Sequence, residues 1–418
     1  MKKILLNSAV LLLTGALSLT PITAKTRAND IGPKVSTSTP APSAEISTAI
    51  PKTETPSKPK AFTAKIGGRF LLEGLAHMGH YPSSLNHSVG ITDLRLTGQL
   101  SYEDWYLRID VGFDGNKVGM KDSFLQWSRK GNIVRVGHTL GSFGIDPAVA
   151  TYDYLFNSPA NIHNLVFFGR HIGLIYNRVQ PHYHISFGTF MGDNLNMGPD
   201  IEMGFNTALR AVYRPILEED QVLQVGASGI FRLPNRSKST GLRAVNLGCT
   251  GVTFLQSPMY QQLSITDARN ESAAGIEFYY AYKKWLVQAE YMGLFVNRNA
   301  AQTFVGHGGY IQAGYLITGS HFGYDAGEGL PTAPADPKSL QLVFRYNFST
   351  LNDYKSGHFG GIQQDEAVGL NYQFNKHIST RLNYNYVILD SKAPFAAQFS
   401  DPAHARLHQL QARVAFWF

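Results

Sequence analysis

From residue 61 onward, apolar residues recur at every second position in segment after segment. In "DWYLRIDVGF", Trp105, Leu107, Ile109, Val111 and Phe113 fall on one side, and Arg108 and Asp110 on the other. In "QLVFRYNF", Leu342, Phe344, Tyr346 and Phe348 alternate with Gln341, Arg345 and Asn347. A period of two is the period of an extended strand. It predicts strands over 61–73, 90–101, 104–113, 118–128, 131–140, 171–179, 182–190, 204–214, 221–232, 273–283, 285–297, 308–318, 339–349, 366–375, 377–389 and 408–418. That is sixteen, an even number, and most segments are long enough to cross a bilayer at a tilt.

The connections also alternate. Tyr102-Glu103, Arg129-Lys130 and Gln180-Pro181 are two-residue links, whereas 74–89, 141–170, 191–203, 233–272, 350–365 and 390–407 are long. Short periplasmic turns opposite long extracellular loops are the outer-membrane arrangement. A soluble sandwich has no reason to segregate loop length in this way. Two connections break the rule: 114–117 is short on the long side, and 319–338 is long on the short side. The predicted fold is an all-β transmembrane antiparallel barrel of about sixteen strands.

Composition agrees. Charged residues are 16% of the chain and aromatics 12%, against about 25% charged in soluble domains. Aromatic girdles at both membrane surfaces account for the second figure. After residue 25 no apolar run is long enough for a transmembrane helix. A lone Cys249 excludes an internal disulfide framework and a cysteine metal cluster.

Residues 1–24 carry Lys2 and Lys3, an apolar stretch and Ile22-Thr23-Ala24, which reads as a secretory signal cut after Ala24, or after Ala28. Residues 25–60 are rich in Pro, Ser and Thr and read as a disordered periplasmic segment. The barrel is assigned to 61–418. Net charge is +7 over the chain, but only about +2 of it falls in 61–418. This is not the charge pattern of a nucleic-acid-binding protein. The chain ends "HQLQARVAFWF", an amphipathic strand that is expected to close the barrel. Its aromatic terminus Phe418 resembles the signal read by the outer-membrane assembly machinery.

Arginine in hydrocarbon costs roughly 2–4 kcal/mol, so strand charges should face a watery interior. Parity then assigns ten bases to the pore lining: Lys65, Arg69, Arg108, Arg135, Arg210, Arg214, Arg232, Arg345, Arg381 and Arg413. Five acids join them: Glu73, Asp110, Asp122, Glu277 and Glu290. The excess of bases would favour anions if the charges stand free. Alternatively, the arginines balance the acids and brace the wall. His182 and His184 share an inward parity but have no carboxylate near them in sequence, so polar lining is the expected role and no metal is assigned. No GxSxG, HExxH or phosphate-cradling glycine loop occurs. No cofactor and no catalytic residue is assigned.

Residues 64–178 resemble the phosphate-selective porin O and P family through "KIGGRFLLEG", "LRLTGQLSYEDWYLRIDVGFDG", "VGMKDSFLQW", "VRVGHTLGSFGID" and "FFGRHIGLIYN", with "GGYIQAGYLITGS" later in the chain. The resemblance implies a sixteen-stranded, homotrimeric outer-membrane channel for anions whose third long loop folds inward and narrows it. The family's phosphate specialists carry lysines on that loop and an arginine run on the fifth. Here the third loop, 141–169, has no Lys or Arg; Asp146, Tyr152, Asp153, Tyr154, Phe156 and Asn157 are expected to line an acidic, aromatic constriction, which suits neutral solutes such as sugars as well as anions. The fifth offers only Arg236, Lys238, Arg243 and Arg269. The expected function is therefore passive diffusion of small hydrophilic solutes with weak anion preference and no tight phosphate site. A lipase- or protease-like barrel enzyme and a surface receptor or adhesin are the competing readings.

Overall fold

The computed structural model describes residues 62–114, 117–166, 169–191, 201–251, 253–255 and 258–418. The signal-peptide and Pro/Ser/Thr-rich segments lie outside the described residues.

Sixteen antiparallel strands close into one barrel. They are β1 (Thr63–Met78), β2 (Ser88–Tyr102), β3 (Trp105–Asp114), β4 (Lys117–Arg129), β5 (Asn132–Leu140), β6 (Arg170–Val179), β7 (Tyr183–Met191), β8 (Phe205–Leu217), β9 (Gln221–Leu233), β10 (Ala268–Tyr282), β11 (Trp285–Arg298), β12 (Phe304–Thr318), β13 (Ser339–Asp353), β14 (His358–Asn375), β15 (Ile378–Leu389) and β16 (Arg406–Trp417). Each corresponds to one predicted segment. Every strand pairs with its sequence neighbour, and β16 pairs with β1 from Arg69↔Trp417 to Met78↔His408. Phe418 extends the seam, its N–H and C=O exchanging bonds with Gly68. The barrel itself has no open edge.

Side chains sort as the alternation requires. Ile66, Leu96, Ile109, Val136, Ile276, Ile311 and Phe344 point out and are exposed, with Trp105, Tyr213, Trp285 and Phe416 among them. Charges point in.

The strand boundaries differ from the sequence reading at the loop end. The predicted loop 350–365 shrinks to 354–357, because β13 and β14 continue pairing through Asn352↔Phe359 and Asp353↔His358. Likewise β10 begins at Ala268 and β12 at Phe304. Beyond the apolar band both strand faces meet water, so the ladder persists where the hydropathy alternation has faded.

Two connections fold into the barrel, and the β9–β10 connection packs on them, with Val245, Leu247 and Cys249 in the cluster around Ile162 and Phe254 stacked on Tyr154 under Arg413. Residues 141–166, between β5 and β6, cross the interior and carry a 3-10 turn at Asp146–Ala148 and one short α-helix, α1 (Asn161–Leu165). At the opposite, short-turn end, residues 319–338 rise inside as a hairpin, Gly323–Asp325 paired with Leu330–Thr332. The two insertions meet: the Ala333 N–H donates to Asp153 Oδ1 at 3.0 Å. They also share an apolar cluster in which Ile145, Val149 and Tyr154 pack with Tyr279, Leu286, Leu316 and Phe322. Above α1, the inward faces of β6–β12 turn apolar. Ile175, Phe190, Ile230, Met292 and Phe304 there pack with Phe143, Ile162 and Leu165.

Candidate functional site

The crossing segment 141–166 is pinned by wall residues that donate to, or accept from, its backbone. Glu290 on β11 accepts the N–H groups of Ile145 (2.7 Å) and Asp146 (3.1 Å) and bonds His163 Nε2 (2.9 Å). Gly144 has φ +71°, and a Cβ there would lie 2.5 Å from Glu290 Oε1. Only glycine lets the chain lie this close to the carboxylate.

On the far wall, pairing aligns Gln341, Asn371, Arg381, Arg413 and Glu73 in one inward row across β13, β14, β15, β16 and β1. The segment rests on this row. Asn371 donates to Leu155 O (2.8 Å), Arg381 to Tyr152 O, and Arg413 to Thr151 O (2.9 Å) and Asn157 O. Arg345 donates to Ser158 O (2.9 Å) and lies over the Phe156 ring. Charged donors to carbonyls are each worth about 1.5–3 kcal/mol, so the segment is held as part of the wall.

These contacts correct the expectation of an open tube lined by all ten bases. All the predicted residues lie on the interior face, but they divide. Arg210, Arg214, Arg345, Arg381 and Arg413 are buried under the two insertions, with Glu73, Glu277 and Glu290. Arg210 pairs with Glu277 and Arg413 with Glu73, while Arg214 donates to Gln180 O, Pro181 O and Ala326 O. Arg232 pairs with Glu271 and donates to Val166 O. These groups hold loops. Parity gave their direction; it carried no information on what covers them.

Along β1–β6 the interior charges pair mainly with one another; Asp93, Arg95 and Asp110 are buried and Thr151 of the crossing segment donates to Asp93 Oδ2 at 2.8 Å, while Arg108 and Arg170 stay partly exposed. There Arg69 and Arg95 flank Asp93, Arg108 grips Asp110 through two bonds, and Arg170 grips Asp122 through two. Arg135 bonds Gln126 and covers the Phe124 ring. Lys65 shares the face of Arg69 and is exposed. Asp93 and Arg95 were legible in "TDLRLTG" by the same parity but were not singled out. Arg170 sits at the loop boundary, where alternation gives no signal.

The expected acidic constriction is also corrected. Asp146 is buried, accepts the Ala160 N–H at 2.6 Å and faces Arg345 at 3.8 Å, so it caps the loop internally. Burial raises its carboxyl above the usual range, against the opposing pull of Arg345. Tyr154 and Asn157 are buried too. Asp153 is half-buried, and burial pushes it up to about 6. Tyr152 stacks on Trp417 with centroids 4.6 Å apart, under Arg69. Burial raises its phenol to about 12.

The two histidines on β7's turn and strand are taken up by neighbours. His182 Nδ1 lies 3.0 Å from Arg214 O, and His184 Nε2 lies 3.3 Å from Asn177 Oδ1. Among the described residues no group of three or more His, Cys, Asp or Glu is placed to hold a metal.

The family model described as phosphate-selective porin O and P matches residues 92–416. The chain belongs to that family. This porin is 25% identical over 309 residues to an uncharacterized protein of Caulobacter vibrioides, a match covering 68% of this chain and 60% of that relative's length. Its barrel also matches solved structures at low identity. The anion-selective porin from Comamonas acidovorans is 10% identical, with a TM-score of 0.56 over 86% of this chain and 100% of that one. OmpTdeltaL8, a loop L8 deletion mutant of an outer membrane protein of Vibrio cholerae, is 12% identical with a TM-score of 0.56 over 86% and 100%. A trimer form of in-vitro folded OmpT is 10% identical with a TM-score of 0.55 over 86% and 100%. These likenesses concern the fold. The porin is an outer-membrane β-barrel.

Proposed function

We propose that this porin lets small hydrophilic solutes diffuse passively along the β1–β6 side of its interior, with a weak preference for anions. One observation carries the reading. In each charge pair formed between two residues of that wall the guanidinium is the more exposed partner: 32% against 0% for Arg108–Asp110, 24% against 18% for Arg170–Asp122, and 12% and 10% against 7% for Arg69 and Arg95 over Asp93. The acids lie behind the bases. A solute meets guanidinium edges first, while the nearby carboxylates keep the net field small. The buried arginines take no part.

The absence of Lys and Arg from 141–169 argues against a tight phosphate site. The Comamonas structure, described as anion-selective, leans the same way. The homotrimeric state, signal cleavage after Ala24, a spacer role for 25–60 and delivery to the outer-membrane assembly machinery through Phe418 belong to the same proposal. The family and the trimer form of a structural neighbour support the first of these.

The test is the zero-current potential of the purified protein in a planar bilayer under a salt gradient. Modest anion selectivity, with chloride current not blocked by millimolar phosphate, is expected. Cation selectivity, or block by micromolar phosphate, overturns the reading.

A further inference from the structure

The hairpin 319–338 delivers one carboxylate onto the exposed basic wall. Its tip is built for this. Asp325 Oδ1 accepts the N–H groups of Gly327 (2.8 Å) and Glu328 (3.2 Å), which closes the turn. Gly329 follows at φ +68°. Arg214 donates to Ala326 O (2.6 Å), Arg210 to Glu328 O (3.1 Å) and Gly329 O (2.9 Å), and Gln224 to Gly329 O (3.3 Å). Arg210 is itself fixed by Glu277. The backbone is thus held on the β8–β9 side while the Glu328 side chain reaches across to Arg135 on β5, 3.2 Å away. Arg135 pairs in register with Gln126 on β4, next to Phe124, which faces Arg108 on β3. It is therefore continuous with the Arg108–Arg170 wall. Glu328 remains 45% exposed inside the barrel. It is solvated rather than sealed in a buried pair.

We propose that Glu328 is a selectivity-setting residue: a fixed carboxylate, presented from the periplasmic end, that neutralises Arg135 and caps the anion preference of the conduit. The inference rests on the β1–β6 conduit proposed above. The wall alone carries an excess of guanidinium, and Glu328 is the acid that stands out from it rather than behind it. A permeating anion passing Arg135 meets a carboxylate already in place. The porin then discriminates weakly among small solutes instead of retaining anions.

The experiment compares the parent chain with Glu328→Gln in planar bilayers, in gradients centred on low and on high salt. Glutamine keeps the backbone anchors and the side-chain length and removes the charge. A unit charge acting over several ångströms through water changes the local anion-to-cation ratio about threefold. At about 0.1 M salt the variant is expected to raise the permeability ratio for chloride over potassium by about that factor. At 1 M, where the screening length falls to about 3 Å, the two proteins should converge. An unchanged ratio at low salt in an anion-preferring parent overturns the inference. So does a rise in conductance that persists at 1 M without a selectivity change, since that is the mark of a loosened hairpin. A cation-selective parent overturns the conduit reading itself, and is separately visible in the same recordings. Glu328→Lys provides a second readout. It should move the ratio further in the same direction, and a shift toward cations would contradict the proposal.

Discussion

Arg413 on the last strand and Glu73 on the first lie 2.5 Å apart, both buried, at the seam where the barrel closes. The same guanidinium donates to Thr151 O of the crossing segment. One ion pair therefore joins barrel closure to the position of 141–166.

Removing one partner of a buried pair costs about 3–5 kcal/mol, because the other charge is left uncompensated. Arg413→Leu is expected to lower the stability of the refolded barrel by about that amount, as read from urea unfolding in lipid vesicles. Glu73→Gln together with Arg413→Leu should recover much of the loss, since no bare charge remains. A single variant as stable as the parent would show that the seam pair is not the tie described here.

Glu290 is the second anchor. It bonds Ile145 N, Asp146 N, His163 and Tyr310 at once. Glu290→Ala should release the start of the crossing segment. Single-channel records of the variant should show raised and fluctuating conductance, while the parent is steady. A quiet variant of unchanged conductance would mean that the wall arginines alone hold the segment.

Asp153 links the two insertions, and burial raises its carboxyl to about 6 from an ordinary value near 4. The folded state therefore binds this proton more tightly than the unfolded chain does. The stability it contributes is fully present below about pH 4 and is lost as pH rises through about 6. Asparagine keeps an acceptor for the Ala333 N–H and does not ionise. Asp153→Asn should match the parent near pH 4 and exceed it at pH 7.5 by on the order of 2 kcal/mol, measured as the difference in urea midpoints. A parent that gains stability relative to the variant as pH rises would reverse the sign.

The barrel was legible because lipid outside and water inside impose one alternation on every strand. "QLVFRYNF" puts Arg345 inward and Phe344 outward whatever else the chain does. The anomalous length of 319–338 was also visible, but not its destination. That hairpin is placed by Arg210, Arg214 and Gln224, residues about a hundred positions away, through bonds to backbone carbonyls. Carbonyls are present at every residue, so such contacts leave no mark in sequence. The same holds for Arg381 and Arg413 beneath 141–166. Parity gives a side chain's direction, and the fold decides whether water or a loop meets it. Asp146 and Asn157 were misread as exposed lining for this reason.

The central claim is that solutes pass along β1–β6 and not along the wall covered by the insertions. Cysteine accessibility in conducting channels tests it most directly. Arg108→Cys and Arg170→Cys place thiols on the first wall; Gln312→Cys and Gln341→Cys place them on the second, where both side chains are buried. The native Cys249 is buried and serves as a silent background. A small, charged, water-soluble thiol reagent is expected to change the current stepwise in the Arg108 and Arg170 variants and to leave the two glutamine variants unchanged. Rapid modification at Gln312 or Gln341, with Arg108 and Arg170 inert, would place the conduit on the other side of the barrel and contradict the account.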